Sequence, residues 1–502
     1  MQSHLIFCNS LLLTTFFMST AAATTAQKAE SDIPHLSEIE LPQTQAELLT
    51  QDTPSQTTDE DRETADIELD VITSPLVNYI EERQNSPTGV IIIDQREIKR
   101  FNYRTVGEVL RRQPGVVLGG PPGEEKDVQL LGLPKEYTQI LIDGQRFPDG
   151  GENRELKVDR IPVSLVERIE IISSPNATID SQGIAGTINI ILKKAPNRRI
   201  AEMTVSGTKL DNSSPFGGVN LLYGDTQGNF SYLLSGGIQR RQVPKNKFKR
   251  SFDSANNPID DEQENETKRL LDISLSPRLT WQVSPRDTLS FRTLFLRTEE
   301  EKDAISNSDK QKFFRSGRVQ EIRQEIKEKE EDKTVTGWRI GGNWERELSS
   351  TAQMNFGLLF QRTDERKDKV ETKTNNITTF RDRDVNPLDR IRENANIKRE
   401  QETKFEQGLL GTFNLNFSPW ENHRVRVGIE GNIRDREKEK SGTEQQILPQ
   451  LSEEVKKEKT GPKDLYTIRE NQLNIFVQDE ISLGDKHTLT AGLRMEKVTL
   501  VT

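Results

Sequence analysis

Hydrophobic and polar positions follow two different rhythms along this chain, and the change falls near residue 196. Upstream, apolar residues come in short runs: Gly89 to Asp94, Val116 to Leu118, Val128 to Leu131, Gln139 to Ile142, Arg168 to Ile172 and Thr187 to Leu192. Short β-branched runs bounded by Gly, Pro and Asp predict buried strands. Two helix starts lie among them. Asp94 precedes Glu97 with capping-box spacing, and Thr105 stands in the same relation to Glu108, ahead of Val109 and Leu110. The second helix has to stop before Pro114 and Gly115, and Pro162 suits the first turn of a short helix. Gly144, after Asp143, fits a tight hairpin turn with positive φ, and Gly183 and Gly186 fit a bend before the last run. Residues 67–195 therefore predict a compact α+β domain.

Downstream the period becomes two. Val425, Val427, Ile429 and Ile433 alternate with Arg426, Glu430, Asn432 and Arg434. Leu489, Ala491, Leu493 and Met495 alternate with Thr490, Gly492, Arg494 and Glu496, and Ala352, Met354, Phe356, Leu358 and Phe360 repeat the pattern. Short turns are expected near Asp225–Gly228, Ser284–Asp287, Glu347–Ser350, Ser418–Asn422 and Leu483–Lys486. Between them, charged stretches poor in apolar residues, near 242–267, 301–332, 364–403 and 437–467, are expected as long loops. Alternating short and long connections are what a transmembrane barrel needs, and a soluble sandwich has no reason to adopt them. The pattern yields about 11 strands, where large plugged barrels have about 22. The expectation is roughly half of a 22-stranded barrel in an incomplete sequence, and an end at Val501 and Thr502 without a terminal aromatic points the same way. Trp281, Trp344 and Trp420 lie at or beside short turns, where indoles would form an interfacial girdle; ordinary core positions are the alternative.

Composition narrows this picture. The chain is 30% charged and 32% hydrophobic, and its length of 502 residues suggests more than one domain. Past residue 20 no apolar run is long enough for a transmembrane helix, but barrel strands carry a weaker signal. Leu11 to Met18, followed by small residues at Ala21–Ala23 and Thr24–Ala26, reads as a secretory signal over 1–26, with a short buried helix as the alternative. Cys8, the only cysteine, falls inside it, so the exported chain would have neither disulfide nor thiolate metal site. Residues 27–66, rich in Gln, Thr, Asp, Glu and Ser, predict a flexible exported tail. A net charge of −10 argues against a general nucleic-acid partner. No nucleophile elbow, P-loop or zinc-protease motif is present, and His4, His35, His423 and His487 are scattered. No enzyme activity, cofactor or metal is expected.

Four blocks carry a family resemblance. Thr105 to Val117, Tyr137 to Arg146, Ile161 to Ile171 and Gly183 to Asn189 resemble, in order, segments of the plug of TonB-dependent outer-membrane receptors. The resemblance is strong over 67–195 and lies in pattern alone over 196–502. It implies an α+β plug domain followed by an antiparallel transmembrane β-barrel in the lipid of a bacterial outer membrane. It further implies active import of a scarce ligand, driven by TonB and its inner-membrane energising complex. A ferric siderophore is the first expectation, with cobalamin, haem or glycans as alternatives.

The same resemblance suggests sites. Ile67, Glu68, Leu69, Asp70, Val71, Ile72 and Thr73 resemble the TonB box, and an extended segment of this kind can add a strand to a partner's sheet. The alternative is the first strand of the plug. Gly119, Gly120, Pro121 and Pro122, with Arg146 and Phe147, are the ligand candidates at the plug apex; a guanidinium suits the carboxylates or catecholates of a metal chelate, or is simply solvated. The chain departs from the family twice. Leu131 and Gly132 stand where many plugs have Arg-Gly, and Ser173, Ser174 and Pro175 where many have Arg-Gly-Pro. The family's arginines are associated with holding plug to barrel through carboxylates. Their absence keeps open a second function, a barrel-anchored surface binding or adhesion protein. An open porin conflicts with a plug.

Overall fold

The computed structural model describes residues 89–120, 124–148, 156–173, 177–179, 183–209, 215–254, 256–314, 318–380, 388–448, 453–458, 465–484 and 487–501. The expected signal, the tail, Ile67 to Thr73, Pro121 and Pro122 lie outside them.

The N-terminal domain has six strands and two helices: β1 (Val90–Ile93), α1 (Gln95–Arg100), α2 (Val106–Leu110), β2 (Val116–Gly119), β3 (Lys126–Leu130), β4 (Thr138–Ile142), β5 (Val166–Ile172) and β6 (Gly186–Leu192). The caps work as their chemistry demands. The Asp94 carboxylate accepts from the backbone N–H groups of Arg96 and Glu97, and the Thr105 hydroxyl accepts from that of Glu108. The Glu108 carboxylate reaches back to the N–H of Arg104, one residue earlier than a standard box. Around Pro162 the expected helix is only a 3₁₀ turn, Val163–Leu165.

One sheet runs in the order β1-β5-β6-β4, with β4 and β6 parallel and the other pairs antiparallel; β2 and β3 pair separately. The last run in sequence is thus central in the sheet. Ile93, Ile142, Ile169, Ile188 and Ile190 fill the core against Val106, Val109 and Leu110 of α2. The same cluster continues through Leu294 and Leu296, which belong to the second sheet.

That second sheet comprises β7 (Ile200–Thr208), β8 (Phe216–Gln227), β9 (Phe230–Phe252), β10 (Pro258–Ser284), β11 (Asp287–Phe313), β12 (Val319–Ser349), β13 (Ala352–Thr379), β14 (Leu388–Phe417), β15 (His423–Leu448), β17 (Leu465–Leu483) and β18 (His487–Val501), with the short β16 (Glu453–Glu458) paired onto β15. Neighbours pair antiparallel in chain order, and β7 and β18 are the two edges, so the sheet is not closed among the described residues.

The short turns fall where expected. The charged stretches between them do not form the long loops that the sequence suggested: they are mostly strand, and β12 reaches 31 residues. At ~3.4 Å per residue that is on the order of 100 Å, several times the apolar depth of a membrane. The reason is cross-strand pairing. Lys333 meets Glu365 at 2.8 Å and Lys373 meets Glu325 at 2.7 Å, so opposite charges replace apolar contacts as the lateral adhesive.

Near the short turns the polarity is the reverse of a soluble sheet. Leu275, Leu279, Phe291, Ile340, Phe356, Leu358, Ile429 and Ile433 are exposed, while the alternate residues Ser274, Ser276, Arg278, Arg339, Gln361 and Arg434 are buried. An apolar exterior over a polar interior is the arrangement that lipid selects. Trp281 and Trp420 are exposed beside the turns, and Trp344 donates its indole N–H to Asp287 at 3.0 Å.

Replacing the outward Leu358 by Arg should cost roughly 2–4 kcal/mol, whereas Thr336→Arg, on the same face but beyond the apolar band, should cost under about 1 kcal/mol. Urea titration of protein refolded into phospholipid vesicles measures both.

Candidate functional site at the plug–barrel interface

The turn after β4 organises the interface. Asp143 (φ 50°) and Gly144 (φ 76°) form a two-residue turn with both residues left-handed. Gly144 donates its N–H to Asn189 Oδ1 at 2.8 Å, Asp143 donates its own to the Ile190 carbonyl at 2.9 Å, and the Leu192 N–H reaches Asp143 Oδ1 at 3.0 Å. The turn is therefore fastened to β6.

The wall grips this turn from the other side. Arg278 Nη2 donates to Asp143 Oδ2 at 2.8 Å. Arg339 donates to the carbonyls of Ile142 (2.8 Å), Arg146 (2.6 Å) and Gln145 (3.3 Å), and its guanidinium lies 5.1 Å from the Phe147 ring centroid. Gly337 makes room for that ring, since a Cβ there would sit 2.9 Å from it. The Thr363 hydroxyl donates to the Pro148 carbonyl. Arg292 adds a third guanidinium within electrostatic reach of Asp143.

The same polarity recurs around the plug. Arg241 of β9 lies 3.8 Å from Asp159 and 2.7 Å from Asp272. Lys268 of β10 pairs with Glu124, which also accepts from Lys126 at 2.6 Å. Burial would raise the Glu124 carboxyl, but hydrogen bonds from Lys126 and Lys268 outweigh it and hold the pKa at about 2. Burial pushes Asp159 up against the opposing pull of Arg241. Leu131, where the family's Arg would stand, is exposed. The wall thus supplies the cations and the plug supplies carboxylates and carbonyls.

The apex residues separate into different roles. Gly119 closes β2, and Gly120 (φ 89°) turns so tightly that a Cβ would lie 2.0 Å from the Glu124 carbonyl oxygen. Phe147 is buried beneath Arg339, while Arg146 lines a chamber between the plug and the wall. Two further cations, Lys157 and Arg160, escaped the sequence reading. They stand three residues apart about the 3₁₀ turn Val158–Arg160, where such positions eclipse. Lys333 and Lys404 of the wall approach the same place, sharing Glu365 at 2.8 and 3.3 Å. The Arg160 charge, then burial, then Lys333 depress the Lys157 pKa to about 8. Among the described residues neither Lys157 nor Arg160 has an ion pair. Asp159, Glu365 and Glu402 stand among these cations, and it is Lys157 and Arg160, outside any of the ion pairs, that favour an anion. The spacing of Lys157 and Arg160 just before Pro162 was the only signal for this site in the sequence.

Residues 82–187 match the TonB-dependent Receptor Plug Domain family. Residues 82–187 are thus a plug domain of the TonB-dependent receptor kind. The chain is 30% identical over 247 residues to the ferric enterobactin receptor PirA of Pseudomonas aeruginosa, a match covering 43% of this chain and 31% of that protein. It is 32% identical over 123 residues to the iron-regulated outer membrane virulence protein of Vibrio cholerae, covering 23% and 19% of the two chains. The vitamin B12 transporter BtuB of Photobacterium profundum is 30% identical over 126 residues, covering 25% and 21%. The chain thus spans 19% to 31% of the length of these relatives. Among solved structures, a mutant of the ferric enterobactin receptor PfeA of Pseudomonas aeruginosa aligns over 84% of this chain and 91% of its own, at 13% identity and a TM-score of 0.36.

Arg339→Met removes the guanidinium from three plug carbonyls, of which those of Ile142 and Gln145 keep each other's backbone N–H, and should destabilise plug seating by on the order of 2 kcal/mol. Limited proteolysis of the membrane-embedded receptor should then cleave the plug while the sheet survives; Arg339→Lys should rescue only partly, because an ammonium cannot span the three carbonyls. The Glu124 contact has a defined pH sign. Its folded pKa lies below its ordinary value of 4.5, so its stabilisation is complete above that pH and is lost as pH falls toward about 2. Thermal unfolding in detergent should show Glu124→Gln less stable than wild type near neutral pH, with a smaller drop on acidification.

Proposed function

We propose that the receptor imports an anionic metal chelate, a ferric siderophore, across the bacterial outer membrane. The observation that carries this is the cluster of Lys157, Arg160, Lys333 and Lys404 at the plug–wall junction, in which Lys157 and Arg160 have no ion pair among the described residues. A chelate bringing carboxylates or catecholates would neutralise charges that otherwise repel one another. The ligand named for PirA, ferric enterobactin, supports the same class.

In this proposal a signal at 1–26 directs export, 27–66 is a periplasmic tail, 67–195 is the plug and 196–502 belongs to the barrel. Ile67 to Thr73 adds a strand to TonB, which transmits a pull powered by the inner-membrane energising complex. Apart from the apolar contact at Leu294 and Leu296 and the Phe147 ring against Arg339 and Gly337, the plug contacts described above are hydrogen bonds and ion pairs, which water can replace one at a time. Such an interface can yield to traction more readily than a dry core.

A second function has one observation in its favour. The charged strands run far past the apolar band and present a tall external wall, as a surface binding or adhesion protein would.

Deleting residues 66–73 from the complete receptor should abolish energised accumulation of radiolabelled ferric enterobactin while surface binding persists. Full accumulation by a deletion variant that reaches the membrane would overturn the import mechanism. Adhesion to host or abiotic surfaces, unchanged by the deletion and lost with the external strands, would favour the second function.

A further inference from the structure

The inner face of β12 carries Lys333 and, farther along, Arg339, with the buried Val335 and Gly337 between them. At ~3.4 Å per residue the two cations stand roughly 20 Å apart along the strand. The plug covers the interval. Its Phe147 ring lies on Gly337, where a Cβ would come within 2.9 Å of it.

Beside Arg339, the neighbouring strands bring two more guanidiniums to the same face. Arg278 of β10 and Arg292 of β11 are direct cross-strand partners. Opposite residues have Cβ atoms about 4.5–5.5 Å apart, and like charges at that separation weaken the pairing. The wall nevertheless holds these arginines together and out of water: Arg278 is 8% exposed, Arg339 3%, and Arg292 is half-buried.

Only one carboxylate answers the three. Asp143 Oδ2 takes Arg278 at 2.8 Å, while its Oδ1 is committed to the Leu192 N–H at 3.0 Å. Arg292 donates to Asn343 Oδ1 at 3.3 Å, and Arg339 to plug carbonyls and to Gln361 Oε1 at 3.0 Å. Neither has an ion pair among the described residues. Glu345, another acid within electrostatic reach of Arg292, takes the Asn355 amide at 3.1 Å. Buried arginines are normally paired, so this cluster holds positive charge in excess of what the plug returns to it.

One stretch of plug, Asp143 to Phe147, makes all of these contacts. Its withdrawal would uncover Gly337 and release Arg278 and Arg339 together, leaving the inner face of β12 open from Lys333 to Arg339. We propose that Arg278, Arg292 and Arg339 form a second anion-binding station on the wall, which Asp143 fills while the plug is seated and the anionic part of the cargo takes once the turn withdraws. Its part in transport rests on the import reading, in which the Lys157 cluster is the first station; its chemistry does not.

The test uses the full chain folded in detergent micelles, with radiolabelled inorganic phosphate in equilibrium dialysis. Asp143→Gly tolerates the left-handed turn and removes the resident carboxylate. It should bind one phosphate per chain more than the unsubstituted protein. Adding Arg292→Gln should weaken that extra site about tenfold or more, whereas adding Lys157→Gln should leave it in place. If the glycine variant unseats the plug, the arginines are bared outright and the same extra site is expected. If circular dichroism shows its strand content lost, Asp143→Asn, which keeps an acceptor for Leu192, takes its place with the same expectation. No extra phosphate on a folded variant overturns the proposal, as does an extra site indifferent to Arg292→Gln. In the complete receptor, Arg292→Gln should slow energised uptake of ferric enterobactin about tenfold, and undiminished uptake would overturn the station's part in transport. An unsubstituted receptor that takes up no ferric enterobactin, with the extra phosphate site present in Asp143→Gly, would count against import alone.

Discussion

The grip of wall arginines on one plug turn is the constraint around which the rest is arranged. Asp143 must be left-handed to make the turn, must accept from Leu192 to hold β6, and must answer Arg278. Arg339 binds backbone carbonyls, which any sequence at Gln145 and Arg146 would present. A grip on main chain depends on the shape of the turn, and that shape depends on Gly144. The family's plug arginines are absent, and the interface compensates by placing its cations on the opposite surface.

The wall meets two different solvents along its length. Near the short turns, apolar side chains face outward and polar ones inward, because lipid lies outside and the plug within. Farther along the strands both faces are polar, and Lys–Glu pairs across neighbouring strands hold the ladder together. In each of these pairs the carboxylate is buried, so the cross-strand contact adds to the backbone hydrogen bonds that run the whole length.

The plug carries cations of its own as well. Lys157 and Arg160, neither with an ion pair among the described residues, approach Lys333 of the wall, and an anion there would relieve their mutual repulsion.

Local chemistry made the elements legible in the sequence. Asp94 and Thr105 announced their helices, Asp143 and Gly144 their turn, and the period-two pattern its outward face, because capping, φ preference and alternation act over a few residues. The charged strands were misread because low apolar content was equated with loop; their stability comes from partners on neighbouring strands, such as Glu365 for Lys333, which no local pattern exposes. The sites were hidden for the same reason. Arg146 and Phe147 stood out by type, yet Phe147 is covered by Arg339, nearly 200 residues away, and the Lys157 patch is completed by Lys333 and Lys404. Sequence alone determined which segments fold and which face meets lipid. Only the tertiary structure decided which charges meet, because the pairing of plug with wall is set by register across the whole sheet.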